Sequence, residues 1–302
     1  MVKVYIDGQE GTTGLKILER FKNRSDIELL RIDEDKRKDP EERRKLIHSA
    51  DFTFLCLPDA AAKEAVALAE GSSTRIIDAS TAHRTNPDWA YGFPELGADF
   101  REKIAHSART AVPGCYASGF VSMVYPLVKL GILPKDYPVS VHAVSGYSGA
   151  GKKAIAVYES DDRPAGFDSP RQYALTQQHK HLPEMQKICG LDYAPAFNPL
   201  VCDYFSGMVV SLPLHTRLLT KKYTAEDIRK ALREKALSGN STLKKENTNS
   251  VLMDVSLKIR NADDEWIPVD PNDFPEDGVE VLLPYPEGTN RTYTFVIIHM
   301  IT

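Results

Sequence analysis

The chain has 302 residues, of which 42% are apolar and 26% charged, and a formal net charge of -4 at pH 7, so its length predicts two domains rather than one core. Positive and negative charges are mixed along the chain, without the basic blocks that are typical of proteins that bind nucleic acids or membrane surfaces. No apolar run approaches the roughly 20 residues of a transmembrane helix. We therefore expect no nucleic-acid partner, no membrane partner and a small-molecule substrate.

The first predicted elements follow directly from the start of the chain. A charged residue at position 3 and a glycine at position 8 leave no room for the apolar stretch of a signal peptide, so we expect a cytoplasmic protein. Alternating Val2, Val4 and Ile6 predict a strand, and the glycine cluster behind it is followed by apolar residues at helical spacing. With a second strand over 27–32, residues 1–32 form one predicted βαβ unit.

Further strand and helix patterns complete the first half. Pro40, followed by EERRKLI, indicates a helix with proline in its first turn, and the apolar run 51–57 is typical of a buried parallel strand. An alanine-rich helix over 60–70 and a strand over 74–80 come next. This alternation predicts an α/β fold whose residues 1–114 form a doubly wound, Rossmann-type dinucleotide-binding domain.

The second half has longer β-rich runs and fewer predicted helices. One helix is predicted over 224–237 and a polar loop over 238–250. The β-rich runs are residues 138–151, 209–216, 251–260, 278–284 and 292–298. This pattern predicts that residues 115–302 form an α+β catalytic domain with a mixed or largely antiparallel sheet.

A glycine cluster with the spacing G-x-x-G-x-x-G follows the first strand. Its members are Gly8, Gly11 and Gly14, with Thr12 and Thr13 at the start of the helix. Glycine lets the backbone turn tightly and approach a pyrophosphate closely, and a helix N-terminus offers N–H groups and the positive end of the dipole. The spacing differs from the usual G-x-G-x-x-G, but strand, turn and helix occur in the order that a dinucleotide loop requires.

The choice between NAD and NADP stays open at the level of the sequence. Asp33 lies 19 residues past Gly14, where an acid holds the ribose diol of NAD. Lys36, Arg37 and Lys38 follow, and such cations pair with the 2′-phosphate of NADP. A solvated charge run explains these residues equally well.

Cys115 is the predicted nucleophile. Pro113-Gly114 interrupts the chain just before an amphipathic helix, so Cys115 falls at or next to the helix N-terminus, where N–H groups and the dipole lower the pKa of a thiol. The other cysteines, Cys56, Cys189 and Cys202, are interpreted as unreactive. Neither zinc-finger spacing nor a C-x-x-C pair is present, so we expect no metal and no disulfide scaffold.

A histidine pair in QQHKHLPEM is the predicted proton carrier. His179 and His181 are separated by one residue, and imidazole both accepts and donates a proton near neutral pH, as a thiol-based reaction requires. An H-x-H pair also binds metals, but no third ligand occurs at a recognisable spacing. The sequence alone does not decide which of the two rings is catalytic.

Two polar turns are candidate binding loops. The run SGYSGAGKK begins at Ser145 and includes Gly146 and Gly149, whose backbone N–H groups and neighbouring hydroxyls suit a cofactor or an anionic substrate. The run DASTAHR ends a strand with Ser80 and Arg84, which suit a phosphate or carboxylate. A flexible loop and an ordinary surface arginine are the alternative interpretations.

Together these motifs resemble the N-acetyl-gamma-glutamyl-phosphate reductase family in its short, type 2 variety. The resemblance covers roughly residues 1–220 and extends to GTNR at 288–291. It departs at Ala117-Ser118, where the family usually has Pro-Thr, and at the closing HMIT, where the family's usual asparagine- and glycine-rich segment is not found. The motifs that carry the resemblance, in chain order, are IDGQEGTTG, DASTAHR, YGFPEL, VPGCYASG, SGYSGAG and HKHLPEM.

The resemblance implies a specific activity. It implies NADPH-dependent reduction of N-acetyl-gamma-glutamyl phosphate to the semialdehyde and phosphate in arginine biosynthesis, by a homo-oligomer, either tetramer or dimer. Cys115 matches the family's nucleophile and His179 its general acid/base, and we add His181, Ser80 and Arg84 as substrate-binding candidates. The alternatives are a related dehydrogenase of the aspartate-semialdehyde type and an NADP-binding protein with impaired catalysis.

Overall fold

The computed structural model describes residues 1–239, 258–260, 266–268, 278–282 and 294–301. Among these residues no helix combines the length and apolar character needed to cross a membrane. The same residues contain no cluster of three or more His, Cys, Asp or Glu side chains arranged to hold a metal ion. The predictions made from the sequence for residues 240–250, 251–257 and 288–291 lie outside the described residues.

The helices and strands are named here in chain order. Up to residue 129 they are β1 (Val2–Asp7), α1 (Thr12–Phe21), β2 (Ile27–Leu30), α2 (Pro40–Ser49), β3 (Phe52–Leu55), α3 (Asp59–Leu68), β4 (Arg75–Asp78), β5 (Ala90–Tyr91), α4 (Ala98–His106), β6 (Arg109–Ala111) and α5 (Cys115–Lys129). Those described beyond residue 129 are β7 (Ser140–Gly146), α6 (Lys152–Tyr158), β8 (Arg171–Gln172), α7 (Leu182–Cys189), β9 (Ala196–Cys202), β10 (Met208–His215), α8 (Ala225–Gly239), β11 (Lys258–Arg260), β12 (Trp266–Pro268), β13 (Gly278–Leu282) and β14 (Thr294–Ile301).

The chain divides into two compact units. The first unit consists of Met1–Ser118 and Ala150–Asp161, and the second unit of Gly119–Gly149 and Asp162–Thr302. The domain boundary predicted between residues 114 and 115 stays a prediction.

The first unit contains a parallel sheet in the order β2-β1-β3-β4-β6-β5. The chain moves from β1 outward to β2 and then returns to the other side of β1, so the strand order reverses between β1 and β3. In sheets of this kind, ligands bind beyond the carboxyl ends of the strands at this reversal. The predicted Rossmann-type fold is therefore confirmed, and it places the Gly8–Gly14 turn at this edge.

The core of the first unit follows from the sequence pattern. Pro40 occupies the first position of α2, and the Asp39 side chain accepts a hydrogen bond of 2.9 Å from the N–H of Glu41, which fixes the start of the helix. Ile47 of α2 and Leu55 of β3 are both fully buried in the core cluster beside the sheet. Burial of each such side chain contributes roughly 1.5–3 kcal/mol.

The second unit contains a mixed sheet in the order β13-β14-β10-β7-β9-β8. The pairs β10–β14 and β7–β9 are parallel, and the pairs β7–β10, β8–β9 and β13–β14 are antiparallel. Val210, Leu212 and Leu214 are buried and alternate along β10 with partly buried neighbours, so one face of this strand packs into the core. The predicted mixed sheet is confirmed.

Several element bounds differ from the sequence predictions. Helix α8 runs over Ala225–Gly239, two residues beyond the predicted end, and β2 ends at Leu30 rather than at residue 32. Helices α4, α6 and α7 were not predicted. They have nine, seven and eight residues, and two turns give too few repeats for a helical period to emerge.

Candidate active site

The turn between β1 and α1 has a shape that only glycine permits. Gly8 has a φ of +88°, and a Cβ at this position would collide with the carbonyl oxygen of Cys56. A Cβ at Gly14 would lie 2.5 Å from the carbonyl oxygen of Gly8 and 2.8 Å from Cα of Gln9. The first and third glycines of the cluster therefore let the helix and the neighbouring strand close tightly around the turn.

The N-terminus of α1 fits an anionic group. Gly11 is the N-cap residue and makes no side-chain capping hydrogen bond. The first turn, Thr12-Thr13-Gly14-Leu15, is uncharged. The first N–H groups of a helix have no intrahelical partner, and they favour negative charge together with the helix dipole. The residues present thus match what the pyrophosphate of a dinucleotide requires.

We predict that Gly14→Ala weakens dinucleotide binding by about tenfold or more, because the methyl group displaces the Gly8–Gln9 backbone, and overpacking of this kind typically costs 1–3 kcal/mol. Titration of NADPH fluorescence measures the change. Gly166→Ala is the matched control, since a Cβ at Gly166 meets no atom within 4 Å. Equal affinity of Gly14→Ala and Gly166→Ala would refute this role of the turn.

A buried ion pair anchors the turn, and it was not found from the sequence. Asp7 and Arg43 are both at least nine-tenths buried, and the guanidinium donates from Nε and Nη2 to Oδ2 of Asp7 at 3.1 and 3.0 Å. Nη1 of Arg43 also donates to Oε1 of Glu64 at 2.8 Å. Burial raises the pKa of Asp7, and the guanidinium opposes that rise. A charged residue directly before the first glycine was the available signal for Asp7.

The candidate residues for selection between NAD and NADP lie beyond the carboxyl end of β2. Because β2 ends at Leu30, Arg31 is the first residue after the strand, and Asp33 follows it by two. Oδ2 of Asp33 lies 3.9 Å from Nζ of Lys36. Arg31 and Asp33 are both exposed, so an acid and several cations stand together beyond the carboxyl end of β2.

The structure places Cys115 at the first position of α5. The carbonyl oxygen of Gly114 accepts hydrogen bonds from N and Oγ of Ser118 at 2.7 and 2.9 Å, which makes Gly114 the N-cap residue. Cys115 is exposed, whereas Tyr116 and Ala117 directly after it are buried. The first turn is uncharged, so the N–H groups and dipole of the helix act on the sulfur without a competing carboxylate in that turn.

All four cysteines lie in the described part of the chain, and Cys115 is the exposed one among them. Burial, together with the nearby carboxylates of Asp7 and Asp78, raises the pKa of Cys56 to about 12. Burial also raises the pKa of Cys189 and of Cys202. These three sulfurs are kept as thiols near neutral pH, and a thiol is a poor nucleophile compared with a thiolate.

The loop after β4 is held by buried hydrogen bonds. Asp78 is fully buried and accepts from N and Oγ of Ser80 at 2.8 and 2.7 Å, and its Oδ2 lies 2.6 Å from Nδ1 of His83. Arg84 is also buried and donates from Nε to the carbonyl of Val112 at 2.8 Å. Ser80 and Arg84 share the carboxyl edge of the sheet with the glycine turn and Cys115, and their role in substrate binding stays a prediction.

The turn that begins at Ser145 is bonded differently from the sequence expectation. The backbone N–H groups of Gly146, Tyr147 and Ser148 donate to the carbonyls of Gly207, Tyr204 and Phe205 at 2.9–3.0 Å. These N–H groups are therefore engaged within the protein. Ser145 is 8% exposed, and around Gly149 the space for a Cβ is open. The predicted cofactor contacts of these residues stay predictions.

His179 lies in the loop before α7, and its ring is oriented by the backbone. Nδ1 accepts a hydrogen bond of 3.1 Å from the N–H of His181, so the neutral ring carries its proton on Nε2. The ring packs against Phe197 and Tyr173, with centroid distances of 5.0 and 5.9 Å. Partial burial and the charge of Lys180 lower the pKa of His179. The ring is thus kept neutral at neutral pH.

His181 is more deeply placed than His179. It is 4% exposed, it is the N-cap residue of α7, and its carbonyl accepts from the N–H of Met185 at 2.9 Å. Phe197, against which His179 packs, lies near the start of β9, whereas Ser145 pairs with Val201 near its end. Four residues of strand separate these two levels by about 13 Å. His179 and Ser145 thus lie beside different positions of β9.

Comparison with known proteins defines the class. Residues 3–106 match the model of the semialdehyde dehydrogenase NAD binding domain, and residues 115–253 match the model of the semialdehyde dehydrogenase dimerisation domain. The fold and the site thus define an oxidoreductase of the semialdehyde dehydrogenase class, which uses a pyridine nucleotide.

Individual relatives identify the family within this class. The N-acetyl-gamma-glutamyl-phosphate reductase of Burkholderia lata is 48% identical over 230 residues, covering 76% of this chain and 72% of the relative. The reductase 2 of Pseudomonas putida is 47% identical over 233 residues, covering 76% and 74%. The reductase of Trichormus variabilis is 47% identical over 239 residues, covering 76% and 73%. The chain belongs to the N-acetyl-gamma-glutamyl-phosphate reductase family.

Solved structures agree on the fold. Aspartate semialdehyde dehydrogenase from Francisella tularensis superposes with a TM-score of 0.56 at 15% identity, over 78% of this chain and 81% of that one. Aspartate semialdehyde dehydrogenase II from Vibrio cholerae, complexed with ASA, gives a TM-score of 0.57 at 14% identity, over 78% and 79%. At these identities the likeness is one of fold alone.

Proposed function

We propose that this chain catalyses NADPH-dependent reduction of N-acetyl-gamma-glutamyl phosphate to N-acetylglutamate semialdehyde and phosphate, as a step of arginine biosynthesis. The observation that carries the proposal is an exposed Cys115 at the first position of α5, on the same sheet edge as a glycine turn that fits a dinucleotide. The names of its relatives support the choice of substrate.

The chemistry begins at the Cys115 thiolate. Its sulfur attacks the acyl carbon of the substrate, a C–S bond forms, and the C–O bond to phosphate breaks, so that phosphate leaves with the electron pair. The product is a thioester, whose carbonyl accepts a hydride far more readily than a carboxylate does. NADPH, when bound at the glycine turn, supplies that hydride. The tetrahedral adduct then loses the Cys115 thiolate and releases the aldehyde.

We assign His179 the role of general acid/base in this reaction. Its neutral ring holds a proton on Nε2, because Nδ1 accepts the N–H of His181. Such an N–H stabilises negative charge on the carbonyl oxygen as it forms after attack by sulfur and after hydride transfer. For substrate binding we keep His181, Ser80 and Arg84 as candidates.

The cofactor, assembly and location are part of the same proposal. We take NADP(H) as the cofactor because the resemblance implies it, and the candidate partners of its 2′-phosphate are Lys36, Arg37 and Lys38 beyond β2. The pyrophosphate would be held by the glycine turn and the start of α1, at Gly8, Gly11, Thr12, Thr13 and Gly14. Further proposed cofactor contacts are Ser145, Gly146 and Gly149.

The match to a dimerisation domain supports a homo-oligomer, either a dimer or a tetramer. The biosynthetic reaction suits the cytoplasm.

The reaction run in reverse tests this proposal. Purified protein is given N-acetylglutamate semialdehyde, phosphate and NADP, and NADPH absorbance is followed, with NAD and aspartate semialdehyde in parallel. We expect phosphate-dependent NADPH formation, with kcat/KM for NAD lower by at least about tenfold. If the protein turns over aspartate semialdehyde and not N-acetylglutamate semialdehyde, the proposed substrate is wrong. If it binds NADP but turns over neither aldehyde, it is an impaired enzyme.

A further inference from the structure

A buried arginine on α2 connects the end of β1 to α3. Arg43 lies four positions after the N-cap residue Asp39, whose carbonyl oxygen accepts the N–H of Arg43 at 3.0 Å. The guanidinium donates from Nε and Nη2 to Oδ2 of Asp7 at 3.1 and 3.0 Å, and from Nη1 to Oε1 of Glu64 at 2.8 Å. One side chain thus joins the end of β1, the start of α2 and the middle of α3.

Asp7 connects this arginine to the glycine turn. It is the last residue of β1 and directly precedes Gly8. The carbonyl oxygen of Asp7 accepts the N–H of Cys56 at 2.8 Å, so the main chain and the side chain of Asp7 are both held. The carbonyl oxygen of Gly8 accepts the N–H of Gly11, the N-cap residue of α1, at 3.0 Å. A displacement of Asp7 would therefore displace the start of α1 as well.

Close packing leaves the turn little room to adjust. A Cβ at Gly8 would collide with the carbonyl oxygen of Cys56, and a Cβ at Gly14 would lie 2.5 Å from the carbonyl oxygen of Gly8. Groups packed this closely transmit a small displacement to their neighbours. We therefore expect the loss of the bonds to Asp7 to change the position of the N–H groups at the start of α1.

Arg43 also balances the charge of Asp7. The two residues are 5% and 3% exposed, so bulk water hydrates neither charge. Removal of one member of a buried pair is strongly destabilising because it leaves the other charge uncompensated, whereas replacement of both members by neutral groups often costs little. Without the guanidinium, the side chain of Asp7 is expected to move or to take up a proton. The effects of substituting Arg43 and Asp7 are therefore expected to be coupled.

We infer that Arg43 is a positioning residue for the dinucleotide, which sets the position of the Gly8–Gly14 turn by holding the carboxylate of Asp7. The inference rests on the proposed binding of NADP(H) at that turn. Because Arg43 acts through Asp7 and the turn, its effect falls on the affinity for the cofactor and not on the chemical step at Cys115.

Titration of NADPH fluorescence across a double-mutant cycle tests the inference. The cycle consists of wild type, Arg43→Met, Asp7→Asn and the variant with both substitutions. We expect the Kd for NADPH to rise about tenfold in Arg43→Met, and the double variant to stay within about twofold of that value. Arg44→Met is the matched control, because Arg44 is the exposed neighbour on α2, and it should leave the Kd unchanged.

The kinetic parameters separate this positioning role from a general loss of structure. In Arg43→Met we expect the KM for NADP in the reverse reaction to rise about tenfold, with kcat and the KM for phosphate within about twofold of wild type. Alkylation of Cys115 by iodoacetamide in the absence of cofactor should proceed at the wild-type rate. Arg43→Lys keeps the charge but not the planar set of donors, so its KM for NADP should be intermediate.

Independent effects of the two substitutions would overturn the inference. If the losses of affinity multiply in the double variant, or if Arg43→Met binds NADPH as wild type does, then Arg43 does not act through Asp7. Labelling of the buried Cys189 by iodoacetamide reports unfolding, and if it rises in Arg43→Met, the Kd of Arg43→Lys decides. A wild-type protein that binds no NADPH would instead refute the proposed function itself, so the two failures are distinguishable.

A crystal structure of the wild-type protein with NADP bound gives an answer that depends on no variant. Guanidinium bonds from Arg43 to Asp7 beside an occupied glycine turn would support the positioning role. A guanidinium that has left Asp7 and contacts the phosphates of the cofactor would contradict it, because Arg43 would then be a cofactor ligand.

Discussion

Cys115→Ser is expected to abolish reduction of the acyl phosphate, on the order of 10⁴-fold or more, while NADPH still binds. The hydroxyl of serine ionises far less readily than a thiol, and the N-terminus of α5 does not make up that difference. Steady-state rates and fluorescence titration of NADPH measure the two effects separately.

Cys202→Ser is the matched control for that variant. Cys202 is partly buried in β9, and burial raises the pKa of its thiol, so we expect turnover close to wild type. Full activity of Cys115→Ser would refute a covalent mechanism that uses Cys115. Loss of NADPH binding in Cys115→Ser would show instead that the substitution disturbs the fold of the first unit.

His179→Ala is expected to lower kcat by about 10²-fold, within the range typical of general acid–base groups. The variant loses the Nε2–H that the hydrogen bond to Nδ1 preserves. His181→Ala keeps the backbone N–H that orients His179, so it should cost less. An equal loss of kcat from His181→Ala would contradict the choice of His179 as the general acid/base. His106→Ala, at an exposed histidine, is the control and should leave kcat unchanged.

The pH dependence provides a second readout for His179. Burial and Lys180 lower its pKa, so the ring protonates only below the usual range near 6.5. Protonation places a second proton on Nδ1 and breaks the bond from His181. The kcat of wild type should therefore fall only below about pH 6.5, and that acid limb should be absent in His179→Ala. An unchanged limb in the variant would assign it to another group.

The parts of the fold that depend on local pattern were predictable from the sequence. The strand, glycine turn and helix over 1–21 follow from alternation, glycine spacing and helical periodicity within one short stretch. Pro113-Gly114 indicated the start of α5, and the structure places Cys115 at its first position. These features needed no knowledge of distant residues.

The contacts that shape the site depend on distant residues and were missed. Arg84 and Val112 are 28 residues apart and meet because β4 and β6 are neighbours in the sheet. Arg43 and Asp7 are 36 residues apart. The N–H groups of the turn at Ser145 were expected to bind a ligand, yet three of the turn's N–H groups donate to residues 204–207, which no local pattern indicates.

Trapping of an acyl group on Cys115 is the most direct test of covalent catalysis by this chain. The protein is mixed with N-acetylglutamate semialdehyde and NADP while phosphate is omitted, and peptides are analysed by mass spectrometry. We predict one N-acetylglutamyl thioester per chain on the Cys115 peptide, formed with a stoichiometric burst of NADPH and discharged when phosphate is added. An unmodified Cys115 peptide in a protein that turns over once phosphate is present would contradict this chemistry.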